Sequence, residues 1–469
     1  MHAGEIREQK TQMIADRVTQ WQPVLAPGQV ATAVSSARTV VARLRDPDRV
    51  DAAVAAAAQQ TSFPRGVHWL PHGVAQGYAG LAIMCGYLAQ CFPDEDWDVV
   101  AHHYLSRAGR GAEALTYRPS GLWAGLSGLA FAAWYLSRDG ARYRRLLAAV
   151  EDILLPEVGV VADWVSQQRQ GVPVSQFDVI SGLSGIGAYL LCRQADTRAA
   201  TALAAVVHAL VELSGEAGGL PRWHTPASAI GDESMLRDHP HGNLNCGLAH
   251  GIPGPLALLA LVRLSGIEVE GLAEAIDGLA RWLSANRCDD LWGANWPTAV
   301  ALAAVDAPGG LTLKPGAATA APHGSSRTAW CYGSPGVARA LWLAGEALDR
   351  AEYRDLALAS MDAIYRRPRA ARQIDSPTFC HGVAGLLQIT LRFAHDTGRP
   401  IFAEAARALG DQLLAVFDPA TRLGYYSLEP GGVRVDQPGL LDGVSGTVMV
   451  LLAAATGVTP TWDRLFLLA

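Results

Sequence analysis

Seven times along this chain a polar, turn-rich stretch gives way at a Gly-x-x-Gly step to a run that is apolar on every side. The steps begin at Gly77, Gly125, Gly182, Gly251, Gly333, Gly382 and Gly443. The runs behind them include Leu129-Ala130-Phe131-Ala132-Ala133-Trp134-Tyr135-Leu136 and Leu256-Ala257-Leu258-Leu259-Ala260-Leu261. A helix that is apolar all round has to be buried all round. Between these runs lie segments with one apolar face, such as 404–417, where Arg407 and Asp411 turn to water. Buried and half-buried helices therefore alternate. Successive steps are 48 to 82 residues apart, and about 50 residues hold two helices and their loops. A repeat of this kind predicts an all-α fold, an α/α toroid of seven helical hairpins with an inner ring of helices inside an outer one.

The repeats take up residues 61–469. Residues 1–60 read as an N-terminal helical segment packed on the toroid, with helices over 30–45 and from Asp51. The two longest intervals carry insertions, at about 223–245 and 289–327. Both are rich in Gly and Pro and lack a helical period, so they predict long loops or a small β-containing excursion. Long loops beside a site often bind substrate.

Composition adds a constraint. The chain has 48 glycines in 469 residues, above the usual share of about 7%. Glycine at each inner-helix start lets backbones approach closely where helices crowd. The net charge is -6 and no run of five Lys/Arg occurs, which argues against nucleic acid as a partner. The first residues are polar, and no apolar run approaches the roughly 20 residues of a membrane span. The expectation is a soluble, cytoplasmic protein without a transmembrane segment. The seven cysteines are scattered and form no disulfide framework. Cys85, Cys91 and Cys192 lie in apolar stretches and read as small buried hydrophobes.

The repeat also sorts the polar residues. The residue before each first glycine is, in order, Gln76, Ala124, Ser181, His250, Tyr332, His381 and Asp442. One place earlier stand Cys331 and Cys380. In a toroid these positions share one end of every inner helix. The period therefore gathers Cys331, Cys380, His381, His250 and Asp442 at one mouth, and Asp178, four before Gly182, reaches the same end. Two thiols and an imidazole suit Zn²⁺ with a fourth position open to water or substrate; two buried cysteines and a hydrogen-bonded histidine would satisfy the same sequence. His250 could shuttle protons or cap its helix. Arg327 could face a developing negative charge or be a solvated cation. Cys246 falls out of register, and His241 reads as structural.

Taken together, Phe177 to Ile186, Asn245 to Pro255, Arg327 to Gly333, Cys380-His381-Gly382 and Leu441 to Gly446 resemble the lanthionine synthetase C-like family, the cyclases of class I lanthipeptide biosynthesis. The resemblance runs from about residue 60 to the C-terminus. It implies a seven-fold toroid, one zinc ion and thioether-ring formation: a peptide Cys adds to dehydroalanine or dehydrobutyrine. It puts Cys331, Cys380 and His381 on the metal-ligand positions and His250 on the catalytic histidine, supported by Asp178 and Arg327. The implied substrate is a dehydrated precursor peptide, leader plus core. The implied partners are a separate dehydratase, since the chain is too short to carry one, and an export transporter, whose complex would hold the protein at the membrane periphery. Two other readings keep the zinc: addition of glutathione or another thiol to dehydroamino acids, and a non-catalytic toroid that scaffolds a peptide-modifying complex.

Overall fold

The computed structural model describes residues 20–64, 66, 69–307, 310–318 and 326–469. Each Gly-x-x-Gly step opens a buried helix: Tyr78–Cys91, Leu126–Tyr135, Leu183–Cys192, Pro253–Leu264, Ser334–Leu348, Val383–Thr397 and Val444–Ala455. Every residue of the last is buried. Six of them are followed by a one-faced helix on the outside: Trp97–Glu113, Arg144–Gln167, Thr197–Leu213, Leu272–Ala285, Ala351–Arg366 and Pro400–Ala415. Each inner helix packs on the next, and the seventh packs on the first, which closes the ring. The outer partner of the seventh comes from the other end of the chain. Helix Pro27–Leu44 lies against Val444–Ala455, pinned by Trp21 Nε1 donating to Ala453 O at 2.7 Å and Val24 N to Ala454 O at 2.9 Å.

A circuit of backbone hydrogen bonds runs round the mouth, through the residues two or three before each first glycine. Ala75 N donates to Trp123 O, Trp123 N to Ile180 O, Val179 N to Ala249 O, and Ala249 N to Cys331 O. Cys331 N then donates to Cys380 O, Cys380 N to Leu441 O, and Leu441 N back to Ala75 O, all at 3.0–3.2 Å. Seven loops that would otherwise leave buried amides unpaired satisfy one another in a circle.

The second glycine of each step is what lets the loops sit so close. A Cβ on Gly385 would lie 2.0 Å from Phe379 O and 3.4 Å from the Trp330 side chain, and one on Gly128 would lie 2.0 Å from Leu122 O and 2.7 Å from Val74. In both, the obstacle is the carbonyl three before the first glycine of the same repeat and the side chain at that position in the preceding repeat. Glycine removes the clash with the carbonyl at both positions, and at Gly128 the clash with Val74 as well.

The two insertions meet in one antiparallel sheet, in the order Asn243–Asn245, Ala299–Ala307, Gly310–Pro315. A separate hairpin, Ser427–Glu429 with Val433–Val435, stands beside the start of the seventh inner helix. Among the described residues, no helix is long and apolar enough to cross a membrane.

The axis of the ring is filled by the C-terminal turn Thr461–Phe466. Phe466 stacks on Phe379 with ring centroids 3.6 Å apart, and its carbonyl accepts from Trp330 Nε1 at 3.0 Å. This plug therefore reaches the underside of the mouth. Asp463 is fully buried and takes Arg392 in two bonds of 2.6 Å and Gln388 Nε2 at 2.7 Å. Removing one partner of a buried pair strands the other charge, at a cost of about 3–5 kcal/mol. Asp463→Ala is expected to lower the unfolding midpoint sharply in a denaturant titration; a loss within about 0.5 kcal/mol, the scale of a surface change, would show that the plug is dispensable.

Candidate metal centre at the mouth of the ring

Each site residue owes its position to the loop circuit. Cys331 and Cys380 occupy equivalent places in adjacent repeats, and the bond from Cys331 N to Cys380 O at 3.2 Å sets their backbones side by side. The neighbouring Cys331 thiol, followed by burial, pushes the Cys380 thiol well above its usual range. An ion bound here would take both cysteines as thiolates. Cys380 Sγ, a ring nitrogen of His381 and a carboxylate oxygen of Asp442 all lie within 4.8 Å of one another. His381 Nδ1 is 3.3 Å from Asp442 Oδ1. That oxygen is shielded from solvent and has no hydrogen-bond donor. A soft thiol, an imidazole and a carboxylate oxygen meet there, with Cys331 on the adjoining loop, and sulfur and imidazole donors fit a zinc ion.

His250 and Asp178 stand on the two preceding repeats, linked to the thiols by the bond from Ala249 N to Cys331 O. Asp178 is buried and divides its two oxygens. Oδ1 accepts from Ser181 N at 2.7 Å and Gly182 N at 2.8 Å, which fixes the carboxylate to the start of an inner helix. Oδ2 accepts from His250 Nδ1 at 2.6 Å. An ionised carboxylate only accepts, so His250 carries a proton on Nδ1 and turns Nε2 outward. The ring is 39% exposed while Asp178 is 1% exposed, which leaves a held but reachable imidazole.

Arg327 is exposed and lines a cleft of about 580 Å³ together with His381, Asp442, Gln76, Glu429 and Phe63. Its charge favours the ionised forms of both Cys380 and Asp442. Burial nonetheless holds the Asp442 carboxyl above the usual carboxylate range. The hairpin Ser427–Glu429 and Val433–Val435 supplies the far wall of the cleft.

The structure thus brings Asp178, His250, Cys331, Cys380, His381 and Arg327 to one mouth on four consecutive repeats. Sequence reasoning set Asp442 at that mouth without joining it to the donors, although its register position beside His381 was the available signal. Tyr332 was likewise seen only as a register residue. Its ring centroid lies 6.3 Å from that of His250, its hydroxyl accepts from Asn245 Nδ2 at 3.2 Å, and burial pushes its phenol up to about 12. It fits because Gly247 has no side chain: a Cβ there would lie 2.5 Å from the ring. Cys246 is buried away from the donors, its thiol turned to Leu244 O.

A closed ring of seven helical hairpins with thiols, imidazoles and carboxylates at one end defines a known class. The chain belongs to the lanthionine synthetase C-like protein family, whose model matches residues 68–467. It is 26% identical over 353 residues to the nisin biosynthesis protein NisC of Lactococcus lactis subsp. lactis, an alignment that spans 74% of this chain and 77% of that protein. Its fold is that of nisin cyclase, at a TM-score of 0.71 and 22% identity, covering 90% of this chain and 97% of the other.

Proposed function

We propose that this chain is a zinc-dependent lanthipeptide cyclase, which adds peptide Cys thiols to dehydroalanine or dehydrobutyrine to close thioether rings. Family membership supports the enzyme class. The observation that carries the reading is the meeting, at one mouth, of the Cys380 thiol and the His381 imidazole, with the Cys331 loop bonded alongside and a histidine oriented by a buried carboxylate.

Cys331, Cys380 and His381 would hold the zinc, whose Lewis acidity keeps a substrate thiol ionised near neutral pH. In the addition, sulfur forms a bond to the β-carbon and the double-bond pair moves toward the α-carbon and its carbonyl oxygen. One proton must then reach the α-carbon, and nothing leaves. Arg327, exposed in the cleft beside the cluster, is the cation available to the enolate oxygen. His250, with Nδ1 tied to Asp178, offers Nε2 as the proton-transfer atom. The mouth holds thiol and dehydro residue together, which lowers the entropic cost of ring closure.

The reaction consumes dehydroamino acids, so an enzyme that dehydrates Ser or Thr has to act first on the same peptide. The test is a purified, zinc-loaded chain given a dehydrated peptide containing Cys, in parallel with a dehydrated Cys-free peptide plus glutathione. Loss of the free thiol at unchanged mass in the first reaction is the expected result. A glutathione adduct in the second reaction, with no ring in the first, would turn the reading toward intermolecular thiol addition. No addition in either would leave a scaffold.

A further inference from the structure

The hairpin beside the mouth has an open edge on the cleft. Strand Ser427–Glu429 pairs with Val433–Val435 in a sheet of two strands. Leu428 N points away from that partner and donates to Ser376 Oγ at 3.1 Å. In an antiparallel strand the N–H and C=O of one residue share a side. Leu428 O therefore lies on the same edge, and no donor reaches it among the described residues. Ser376 Oγ also accepts from Thr378 Oγ1 at 3.1 Å, which leaves its own proton to give. An open carbonyl beside a hydroxyl donor complements the N–H and C=O of one extended peptide unit. Leu428 and Ser376 line the cleft together with Arg327 and His381.

The same cleft has an apolar wall. Phe63 lines it and is 54% exposed. It stands on the connection between helix Pro47–Gln60 and the first inner helix. That connection is latched to the hairpin. Glu429 accepts from Thr61 Oγ1 at 2.8 Å, Ser62 N at 2.7 Å and Ser62 Oγ at 2.6 Å. Gln60 Nε2 donates to Asp436 Oδ2 at 3.0 Å, and Gln60 Oε1 accepts from Asp436 N at 2.7 Å. The latch fixes the backbone next to Phe63 and leaves its ring uncovered. A lone exposed aromatic is ordinary on a surface. One held over a cleft that also contains His381 and Arg327 is placed to meet a side chain of whatever occupies that cleft.

We propose that the cleft seats the substrate peptide in extended form, with one backbone unit bonded to Leu428 O and Ser376 Oγ and an apolar side chain beside the reacting cysteine packed on Phe63. This rests on the reading that the chain closes thioether rings. Recognition by an added strand takes its affinity from the backbone and its selectivity from side-chain contacts. The backbone contact is blind to sequence, and Phe63 supplies a preference for an apolar neighbour. The volume of about 580 Å³ falls among sites that enclose a small ligand, which is room for a short stretch of chain.

The experiment uses the full, zinc-loaded chain and dehydrated peptides with one Cys and one dehydroalanine. One set carries Leu or Phe next to the cysteine and a second carries Ser. A third is N-methylated at one backbone amide at a time. Ring closure is followed as loss of free thiol, and kcat is separated from KM. The native chain is expected to prefer Leu or Phe to Ser in kcat/KM. Phe63→Ala should cut that preference by about 3- to 10-fold, with the change in KM. The preference is a ratio within one protein, so a general loss of active material cancels from it. For the native chain, methylation of one particular amide should raise KM by about 10-fold, while methylation of its neighbours leaves KM near the parent value, because one edge carbonyl is open. An undiminished preference in Phe63→Ala overturns the side-chain contact, and a flat N-methyl series overturns the strand. The N-methyl series needs no variant, so it decides even where Phe63→Ala does not fold. A native chain that closes no ring in any peptide sinks the cyclase reading and this inference with it. Rings closed equally well across all three sets sink the subsite alone.

Discussion

Cys380→Ala is expected to give a folded chain that holds no zinc and closes no rings. The backbone consequences are small. Cys380 N still donates to Leu441 O, and Cys380 O still accepts from Cys331 N, so the circuit round the mouth survives the substitution. What disappears is the sulfur that lies within 4.8 Å of the His381 and Asp442 donors, on the loop bonded to that of Cys331. A three-ligand zinc site cannot lose one thiolate and keep useful affinity. With the ion gone, the substrate thiol returns to its ordinary acidity, near pH ~8.5, and several kcal/mol of Lewis-acid assistance is lost. That corresponds to a fall in ring formation of roughly a thousand-fold or more. Elemental analysis of the purified protein gives the metal content, and thiol alkylation followed by mass spectrometry counts the unclosed cysteines. Cys331→Ala should match it in both readouts. A Cys380→Ala chain with one zinc per molecule and normal cyclisation would falsify the ligand assignment.

The ring was legible in the sequence because its periodicity is carried by a steric requirement. At Gly385 and Gly128 a Cβ would strike a carbonyl at 2.0 Å, so glycine is enforced there whatever the surrounding residues are. Register then did the rest: the residues before His250 and His381 sit in one hydrogen-bonded circuit, so equal sequence position became equal spatial position. Glycine's function was seen only in part. The sequence suggested crowding between helices, and the structure adds the repeat's own incoming loop as the first obstacle.

Other features left no local trace. The seventh outer helix, Pro27–Leu44, pairs with a segment more than four hundred residues away, and nothing in either stretch names the other. Plugging of the axis by Thr461–Phe466 depends on Phe466 reaching Phe379 and Trp330, contacts that obey no period. Asp442 was placed at the mouth by register, yet register cannot tell a carboxylate oxygen shut away from solvent from one that faces it. Its missing donor and its 3.3 Å approach to His381 exist only in three dimensions.

His250→Ala is expected to keep its zinc and lose ring formation by about 10²- to 10⁴-fold, the usual contribution of a positioned acid or base. The separation of the two effects follows from where the ring is tied. His250 Nδ1 is bonded to Asp178 at 2.6 Å, on the side of the mouth supplied by the third and fourth repeats, whereas Cys331, Cys380 and His381 come from the fifth and sixth. Asp178→Asn tests the same device from behind. An amide can keep accepting from Ser181 N and Gly182 N, but its NH₂ then faces the Nδ1–H of His250, so the ring must change tautomer or turn away. The loss should be smaller than for His250→Ala, and the double variant should be no slower than His250→Ala within about two-fold, because residues that act as one unit do not add. Independent losses that multiply would mean that Asp178 works on something other than the ring. The product carries a second record. A proton delivered by a fixed imidazole reaches one face of the α-carbon, while solvent water reaches either. Residual rings made by His250→Ala should therefore be a mixture of α-epimers, resolved by chiral chromatography of the hydrolysed thioether. A single epimer from that variant, formed at a rate near the native one, would assign proton delivery to another group at the mouth.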